Sequence, residues 1–469
     1  MTQKNVPKKN CIILLLICFS YFIDPQLCKK DIYINNTNQN INNNADYSEI
    51  SNNGVISYEG NDIFWFIQIT DTQFVWLNQN NLEIFNKFLN ETNKIIKPLF
   101  IINTGDIVDA NMGRHQNFEE WQKYNETLTV NNMNSSSYID LVGNHDGSED
   151  PQFEYFINYS LTGSEYKTTQ VSFNHSFVFG NYAFIGLNTA KDSYNNLLEF
   201  AFTGFLNTKE LDWYEKELIK YEKYDEIFVF GHHPPYFPLY YKIISNRSST
   251  GKSFFDLNSE FNVKYYFCGH VHQNFIEKSE GLTTIITDNF DDNKGTYRIV
   301  AVNHNQISTS IENVGKWPQG IIISPTDFNL YDPQYGLERP KIQVLTWDPK
   351  GVLDVEWCAY LEDGILLKNW SSLNKNVNKD TLWEGDISGD LKDNKDYIIK
   401  VRITSESGQV IRTIIYNPQQ STNYELLILI FTSSFIGIVC IVIIIILRSK
   451  KLNFTHILRN LSKKNNGIY

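Results

Sequence analysis

Residues 99–109 read LFIINTGDIVD. A short apolar run, Leu99 to Ile102, gives way to Asn103-Thr104-Gly105, and two aspartates, Asp106 and Asp109, follow at once. A run this short, bounded by glycine, reads as a strand buried on both faces rather than as a helix. The same pattern recurs four times. FWFIQIT (64–70) ends in Asp71-Thr72-Gln73, and YIDLVG (138–143) ends in Asn144-His145-Asp146. IFVFG (227–231) ends in His232-His233-Pro234, and YYFCG (265–269) in His270-Val271-His272. Ligands of open α/β sheets bind beyond the carboxyl ends of the strands, which is where these polar residues must sit. The repeated glycine is expected to let the backbone turn sharply there and bring the next side chain to the rim.

Between these strands lie helical spacings, Leu82, Phe85, Phe88 and Leu89, then Leu211, Tyr214, Leu218 and Tyr221. The second helix, 208–221, is expected to open at Thr208, with Glu210 and Asp212 as acidic residues near its start. Phe177 to Phe184 reads as a hairpin turning at Gly180-Asn181. The fold class over residues 61–315 is therefore α/β, in layers, with some antiparallel strands. From about residue 320 the pattern changes to β-branched and aromatic alternation, at Ile342–Trp347, Val352–Tyr360 and Tyr397–Ile415. An all-β, immunoglobulin-like sandwich over 320–420 is the natural reading, with its Trp and Tyr residues in the core.

The chain has 469 residues, 42% of them apolar and 14% aromatic, which is ample for packed cores and excludes global disorder. With 41 Lys+Arg against 53 Asp+Glu, the net charge of −12 argues against a nucleic-acid binder, which needs a basic footprint. Six cysteines are too few for a disulfide scaffold; a bridge between Cys268 and Cys358 is open but unsupported.

Two hydrophobic runs predict topology. CIILLLICFSYFI, Cys11 to Ile23, follows Lys4, Lys8 and Lys9, and reads as the core of a signal peptide over residues 1–28. An Asn-rich flexible leader, 29–60, follows it. Leu426 to Leu447 is uncharged, and at 1.5 Å per residue it extends about 33 Å, enough for a transmembrane helix over 425–447. Arg448, Lys450 and Lys451 place the tail, 448–469, in the cytosol. The expected localisation is a single-pass type I membrane protein of the plasma membrane or an endolysosomal or secretory membrane, with the body outside the cytosol. N-glycans are expected at sequons on Asn35, Asn90, Asn125, Asn134, Asn158, Asn174, Asn246 and Asn369.

Carboxylate, amide and imidazole without thiolate suit divalent metals such as Zn, Mn or Fe. Any one of the five motifs could be ordinary turn chemistry. Five of them, each closing a strand of one domain, are not explained that way. His115, His175 and His304 lack partners at metal spacing and read as surface or core residues.

The set D-x-[H/Q], GDxxD, GNH[D/E], GH-x-P and GHxH resembles the calcineurin-like metallophosphoesterases. Residues 117–124, NFEEWQKY, look like the transmembrane protein 62 branch, which also carries a β-rich domain before its membrane part, although that branch usually has several C-terminal spans. The resemblance implies a four-layer α/β/β/α sandwich holding two divalent metal ions. Asp106 would bridge both; Asp71, Gln73 and His272 would complete the first site, and Asn144, His232 and His270 the second. His145, oriented by Asp109, would not bind metal but would protonate the leaving oxygen or steady the transition state, and a metal-activated hydroxide would hydrolyse a small phosphate mono- or diester. Gln73 stands where most of the family has His, a neutral and weaker ligand that bears on the first metal. The alternative is a membrane receptor or adhesion protein that uses its β-sandwich to bind a partner.

Overall fold

The computed structural model describes residues 54–417 apart from 59–60, 75–78, 111–114, 149, 191–202, 237–241, 292–293, 333–340, 388–390 and 392–394. The expected signal peptide, most of the leader, the run at 425–447 and the tail lie outside the described residues. Among the described residues, no helix is long and apolar enough to cross a membrane.

The strand Asn61–Ile69 shows how the layers arise. Its odd-numbered residues Ile63, Trp65, Ile67 and Ile69 enter one apolar cluster, and its even-numbered Phe64 and Phe66 enter another. Side chains alternate across a strand, so one strand that is apolar at nearly every position is buried between two layers. In its sheet the order is Gln306–Asn313, Thr296–Asn303, Asn61–Ile69, Ile101–Asn103, Tyr138–Asp140, with Val55–Tyr58 paired to Asn61–Ile69. The last three strands of that order are parallel. A second six-stranded sheet runs Phe275–Ser279, Leu282–Ile286, Tyr265–Cys268, Glu226–Phe230, Gly180–Gly186, Val171–Phe177, parallel across its middle four strands.

The two sheets pack face to face. Phe66 of the first sheet has its ring centroid 5.8–6.1 Å from those of Phe184, Phe228, Phe230 and Phe267 of the second. Such pairs contribute about 0.5–1.5 kcal/mol each beyond the area they bury. Helices Gln79–Glu91 and Phe118–Val130 cover the outer face of the first sheet through Phe85, Phe88, Trp121 and Tyr124. Helices Thr208–Tyr221 and Phe254–Glu260 cover the second through Leu211, Tyr214, Leu218 and Leu257.

The structure completes two local readings and corrects a third. The helix Thr208–Tyr221 opens at Thr208 as expected, and Asn207 caps it: the Asn207 side chain accepts from Glu210 N–H while the Glu210 carboxylate accepts from Asn207 N–H. The hairpin turns at Val178-Phe179, with Phe177 paired to Gly180, because Gly180 and Asn181 are needed in the returning strand. The open bridge is not formed: Cys268 and Cys358 are both buried free thiols, Cys268 in the core under the second sheet.

Two antiparallel four-stranded sheets follow. One is Gln319–Ser324, Lys341–Trp347, Leu382–Asp386, Asn374–Lys375; the other is Leu366–Ser372, Val352–Leu361, Tyr397–Ser405, Gly408–Tyr416. Trp357, Trp383, Tyr397 and Tyr416 fill the space between them. The sandwich is not a loose appendage. Trp347 packs on Trp65 at 5.7 Å, and Arg412 pairs with the buried Glu312 carboxylate while donating to Gly320 O at 2.8 Å.

Candidate metal centre

The five strand ends converge. The first sheet delivers Asp71, Asp106 and Asn144, and the second delivers His232, His270 and His272, so carboxylates and amide face imidazoles across the top of the sandwich. Just below them, Gln68 ties the sheets together. Its amide donates to Cys268 O at 3.0 Å and to Thr104 Oγ1 at 3.2 Å, and it accepts from Thr287 Oγ1 at 2.7 Å. A fully buried polar side chain needs such partners.

The backbone of the site is strained where the candidate ligands stand. Asp71, Gln73, Asp106, His270 and His272 all have positive φ, between 43° and 68°. For residues with a side chain that conformation costs free energy, and it persists only where the surrounding fold enforces it. The glycines therefore do a different job from the expected one. Only Gly105 among the four takes a positive φ, and the others make room. A Cβ on Gly143 would lie 2.0 Å from Asp106 Oδ1, one on Gly269 1.9 Å from Thr70 Oγ1, and one on Gly231 2.1 Å from Tyr266 Oη.

His232 lies at the centre of the group and is fully buried. Its Nδ1 is 3.0 Å from Thr104 O, and a carbonyl can only accept, so Nδ1 carries the hydrogen. In the neutral ring Nε2 then presents a lone pair, 3.1 Å from Asp106 Oδ2, 3.1 Å from Asn144 Oδ1 and 3.2 Å from His270 Nδ1. Without metal a proton on Nε2 bridges it to Asp106, and once that proton is displaced the converging oxygen and nitrogen donors fit a divalent metal. The carboxylates also set the protonation state. Burial opposes charge on His232, but Asp106 and Asp71 outweigh it and raise its pKa to about 9. Asp106 and Asp71 are held below the usual carboxylate range, since His232 overcomes the cost of burying them.

The remaining candidates surround this core. His272 Nε2 is 3.1 Å from Asp71 Oδ1, and His270 N–H donates to Asp71 Oδ2 at 3.0 Å. Gln73 joins the group through its backbone, donating to Asp106 O at 2.9 Å. His145 N–H donates to Asp106 Oδ1 at 2.9 Å, and its ring Nδ1 lies 3.4 Å from Asp109 Oδ1. Burial lowers the His145 pKa, yet Asp106 and Asp109 together raise it above the ordinary value. Asp146 braces the loop by accepting N–H groups of Ile107, Val108 and Gly143 at 2.9–3.1 Å. The sequence reading picked out Asp146 in its motif without its bracing role and missed Gln68, since a buried brace leaves no spacing signal. His175 stacks 5.8 Å from Phe100, far from these loops in function, and His304 pairs with Asp62 at 3.6 Å.

All five loops lie in one recognisable segment. Residues 64–274 match the model of the calcineurin-like phosphoesterase family. Transmembrane protein 62 of Mus musculus is 28% identical over 290 residues, covering 57% of this chain and 42% of that protein. The chain thus spans less than half the length of the curated relative it matches. Among solved structures, Plasmodium GAP50, described as the anchor in the inner membrane complex, is 14% identical, with 54% of this chain and 85% of that one covered at a TM-score of 0.34. Phosphopantetheinyl hydrolase of Mycobacterium tuberculosis is 12% identical, with 48% and 89% covered at a TM-score of 0.28.

Proposed function

We propose that this chain is a metal-dependent phosphoesterase that hydrolyses phosphate mono- or diesters on the extracytoplasmic side of a membrane. The observation that carries the catalytic reading is the meeting of Asp106, Asn144 and His270 within 3.1–3.2 Å of His232 Nε2, inside a segment that matches the phosphoesterase family. Asp71, Gln73, His272 and Asp106 would hold one divalent cation, and Asp106, Asn144, His232 and His270 a second; Zn, Mn or Fe suits the set. When bound, a pair of such ions supplies Lewis acidity at phosphoryl oxygens and lowers the pKa of water towards about 7.

The protein's own groups do the rest. Thr104 O fixes the His232 tautomer, so the ring faces the site in one orientation. His145, with Asp109 on its Nδ1 side, holds a proton above the ordinary histidine range and delivers it to the leaving oxygen. The net charge of −12 disfavours large polyanions, so a small phosphoester is the fitting substrate class.

The membrane reading rests on the run Leu426–Leu447 with Arg448, Lys450 and Lys451 after it, and on the basic, then apolar, N-terminal segment. It is also supported by exposure of the sequon residues Asn90, Asn134, Asn158, Asn174, Asn246 and Asn369. Asn125 is half-buried, its amide donating to Tyr159 O at 2.8 Å, and is not expected to carry a glycan.

The test is metal analysis of the purified full chain beside chromogenic mono- and diester substrates. Two metal equivalents with hydrolysis that is lost in Asp106→Asn are the expected result. A folded protein with neither metal nor hydrolysis refutes the enzyme and leaves the receptor alternative. For topology, glycosidase treatment should lower the apparent mass, and a C-terminal tag should be open to protease in intact cell-derived vesicles whose cytosolic face is outward.

A further inference from the structure

His233 lies beside the second-site histidines, yet its hydrogen bonds make it the opposite of a ligand. Its side chain is 1% exposed, and its ring centroid is 4.9 Å from that of His232 and 4.4 Å from that of His270. One ring nitrogen from each of the three histidines falls within a 4.8 Å group, the spacing of a metal cluster. Proximity therefore suggests a third imidazole ligand, and the hydrogen count decides against it.

The deciding residue is Thr189. Its hydroxyl oxygen accepts from His232 N–H at 3.2 Å and from His233 N–H at 3.1 Å. A hydroxyl oxygen has two lone pairs and one hydrogen, so both acceptor positions are filled. The remaining neighbours are His233 Nδ1 at 3.0 Å and Tyr266 Oη, and with both lone pairs filled the hydroxyl can only donate, so it cannot accept a hydrogen from His233 Nδ1. Nδ1 is thus the acceptor, and the neutral ring carries its hydrogen on Nε2. That Nε2 is buried and has no hydrogen-bond partner among the described residues. A nitrogen bearing hydrogen has no lone pair for a metal, and a buried N–H without an acceptor is costly.

The backbone of His233 is held in place and its side chain is closely covered. Tyr266 Oη donates to His233 O at 2.9 Å, and a Cβ on Gly204 would sit 2.6 Å from His233 Cβ, so the strand Thr203–Leu206 closes over it only because that residue is glycine. We infer that His233 is a neutral hydrogen-bond donor whose Nε2–H awaits an oxygen of a phosphoryl group brought to the centre by His232 and His270. This assignment rests on the phosphoesterase reading for the identity of the ligand, and it makes His233 a substrate-binding residue outside the metal shell.

The test uses the full chain, inorganic phosphate and orthovanadate as probes, and two variants. In His233→Asn the amide reaches the Nδ1 position and can still meet Thr189, but the far donor is lost; in His233→Gln an amide N–H stands near the Nε2 position. Metal content should match the wild type in both. Affinity for phosphate and vanadate should fall about tenfold in His233→Asn, the loss of one hydrogen bond to a charged group, and recover largely in His233→Gln. Loss of a metal equivalent in His233→Asn overturns the proposal in favour of a ligand role, and unchanged anion affinity overturns it in favour of a structural one. If neither variant folds, the ¹⁵N shifts of His233 in the wild type decide: hydrogen on Nε2 upholds the assignment and hydrogen on Nδ1 refutes it. A wild type that binds metal and phosphate but hydrolyses no ester removes the phosphoesterase reading while these readouts still judge His233.

Discussion

Replacing Asp106 with Asn removes one negative charge while keeping the size of the side chain, and the structure fixes what should follow. Asp106 Oδ2 is 3.1 Å from His232 Nε2, and both side chains are almost completely buried. At an effective dielectric of about 20, unit charges at that distance attract by roughly 5 kcal/mol, equivalent to roughly four pKa units. Burial pulls His232 down, and the Asp106 and Asp71 carboxylates lift it to about 9. Without Asp106, burial prevails over Asp71 alone, and His232 should titrate at or below its ordinary 6.5. The sign for metal loading follows. In the metal-free wild type Nε2 is protonated below about 9, so a metal must displace that proton, and apparent affinity rises about tenfold per pH unit up to about 9. In Asp106→Asn the slope should vanish above about pH 6.5, while the affinity itself falls so far that at least one metal equivalent is missing. NMR titration of the chelator-treated protein reads the His232 pKa, and metal analysis across pH reads the loading. A His232 pKa still near 9 in the variant, or two metal equivalents retained, refutes the electrostatic reasoning.

Three more outcomes are expected. His145→Ala should keep its metal content and lose about 10²–10⁴ in kcat, and Asp109→Asn should lose less, because Asp109 acts on His145 from 3.4 Å rather than on substrate; steady-state kinetics with metal analysis separates the two. Gly143→Ala should lower metal content without unfolding the domain, since the new methyl would lie 2.0 Å from Asp106 Oδ1 and 2.4 Å from Asp106 N; a fully loaded variant contradicts the close-approach argument. Burial pushes His175 down to about 4, so its neutral form is favoured in the folded state. Its contribution is complete above the unfolded value of about 6.5 and is lost as the pH falls towards about 4, amounting to about 2 kcal/mol for a half-buried ring. His175→Phe keeps the stacking on Phe100 and Phe177 and should flatten the pH dependence of urea unfolding over that window.

The strands were legible because their apolar runs end abruptly in polar loops. FWFIQIT anticipated Asn61–Ile69, and YYFCG anticipated Tyr265–Cys268, with differences only at the ends. Where turn chemistry competed, the reading slipped. Gly180-Asn181 is a good turn pair by itself, yet the register of Val171–Phe177 against Gly180–Gly186 moved the turn to Val178-Phe179. The start of the helix at Thr208 was legible, whereas the cap by Asn207 depends on its reciprocal bond with Glu210.

The candidate site shows the same division more sharply. Residue types and their placement after strands depend on local sequence, so Asp71, Asp106, Asn144, His232, His270 and His272 could be picked out before any fold was known. That the first sheet supplies the carboxylates and the second the imidazoles follows only from the packing of two sheets through Phe66 and Gln68. The braces and hydrogen positions are likewise tertiary. Asp146 is defined by three backbone N–H groups, and the two neighbouring histidines are told apart by Thr104 O and Thr189 Oγ1, atoms 128 and 44 residues away in sequence. A sequence fixes which atoms can donate or accept; which of them do so depends on distances that only the closed fold sets.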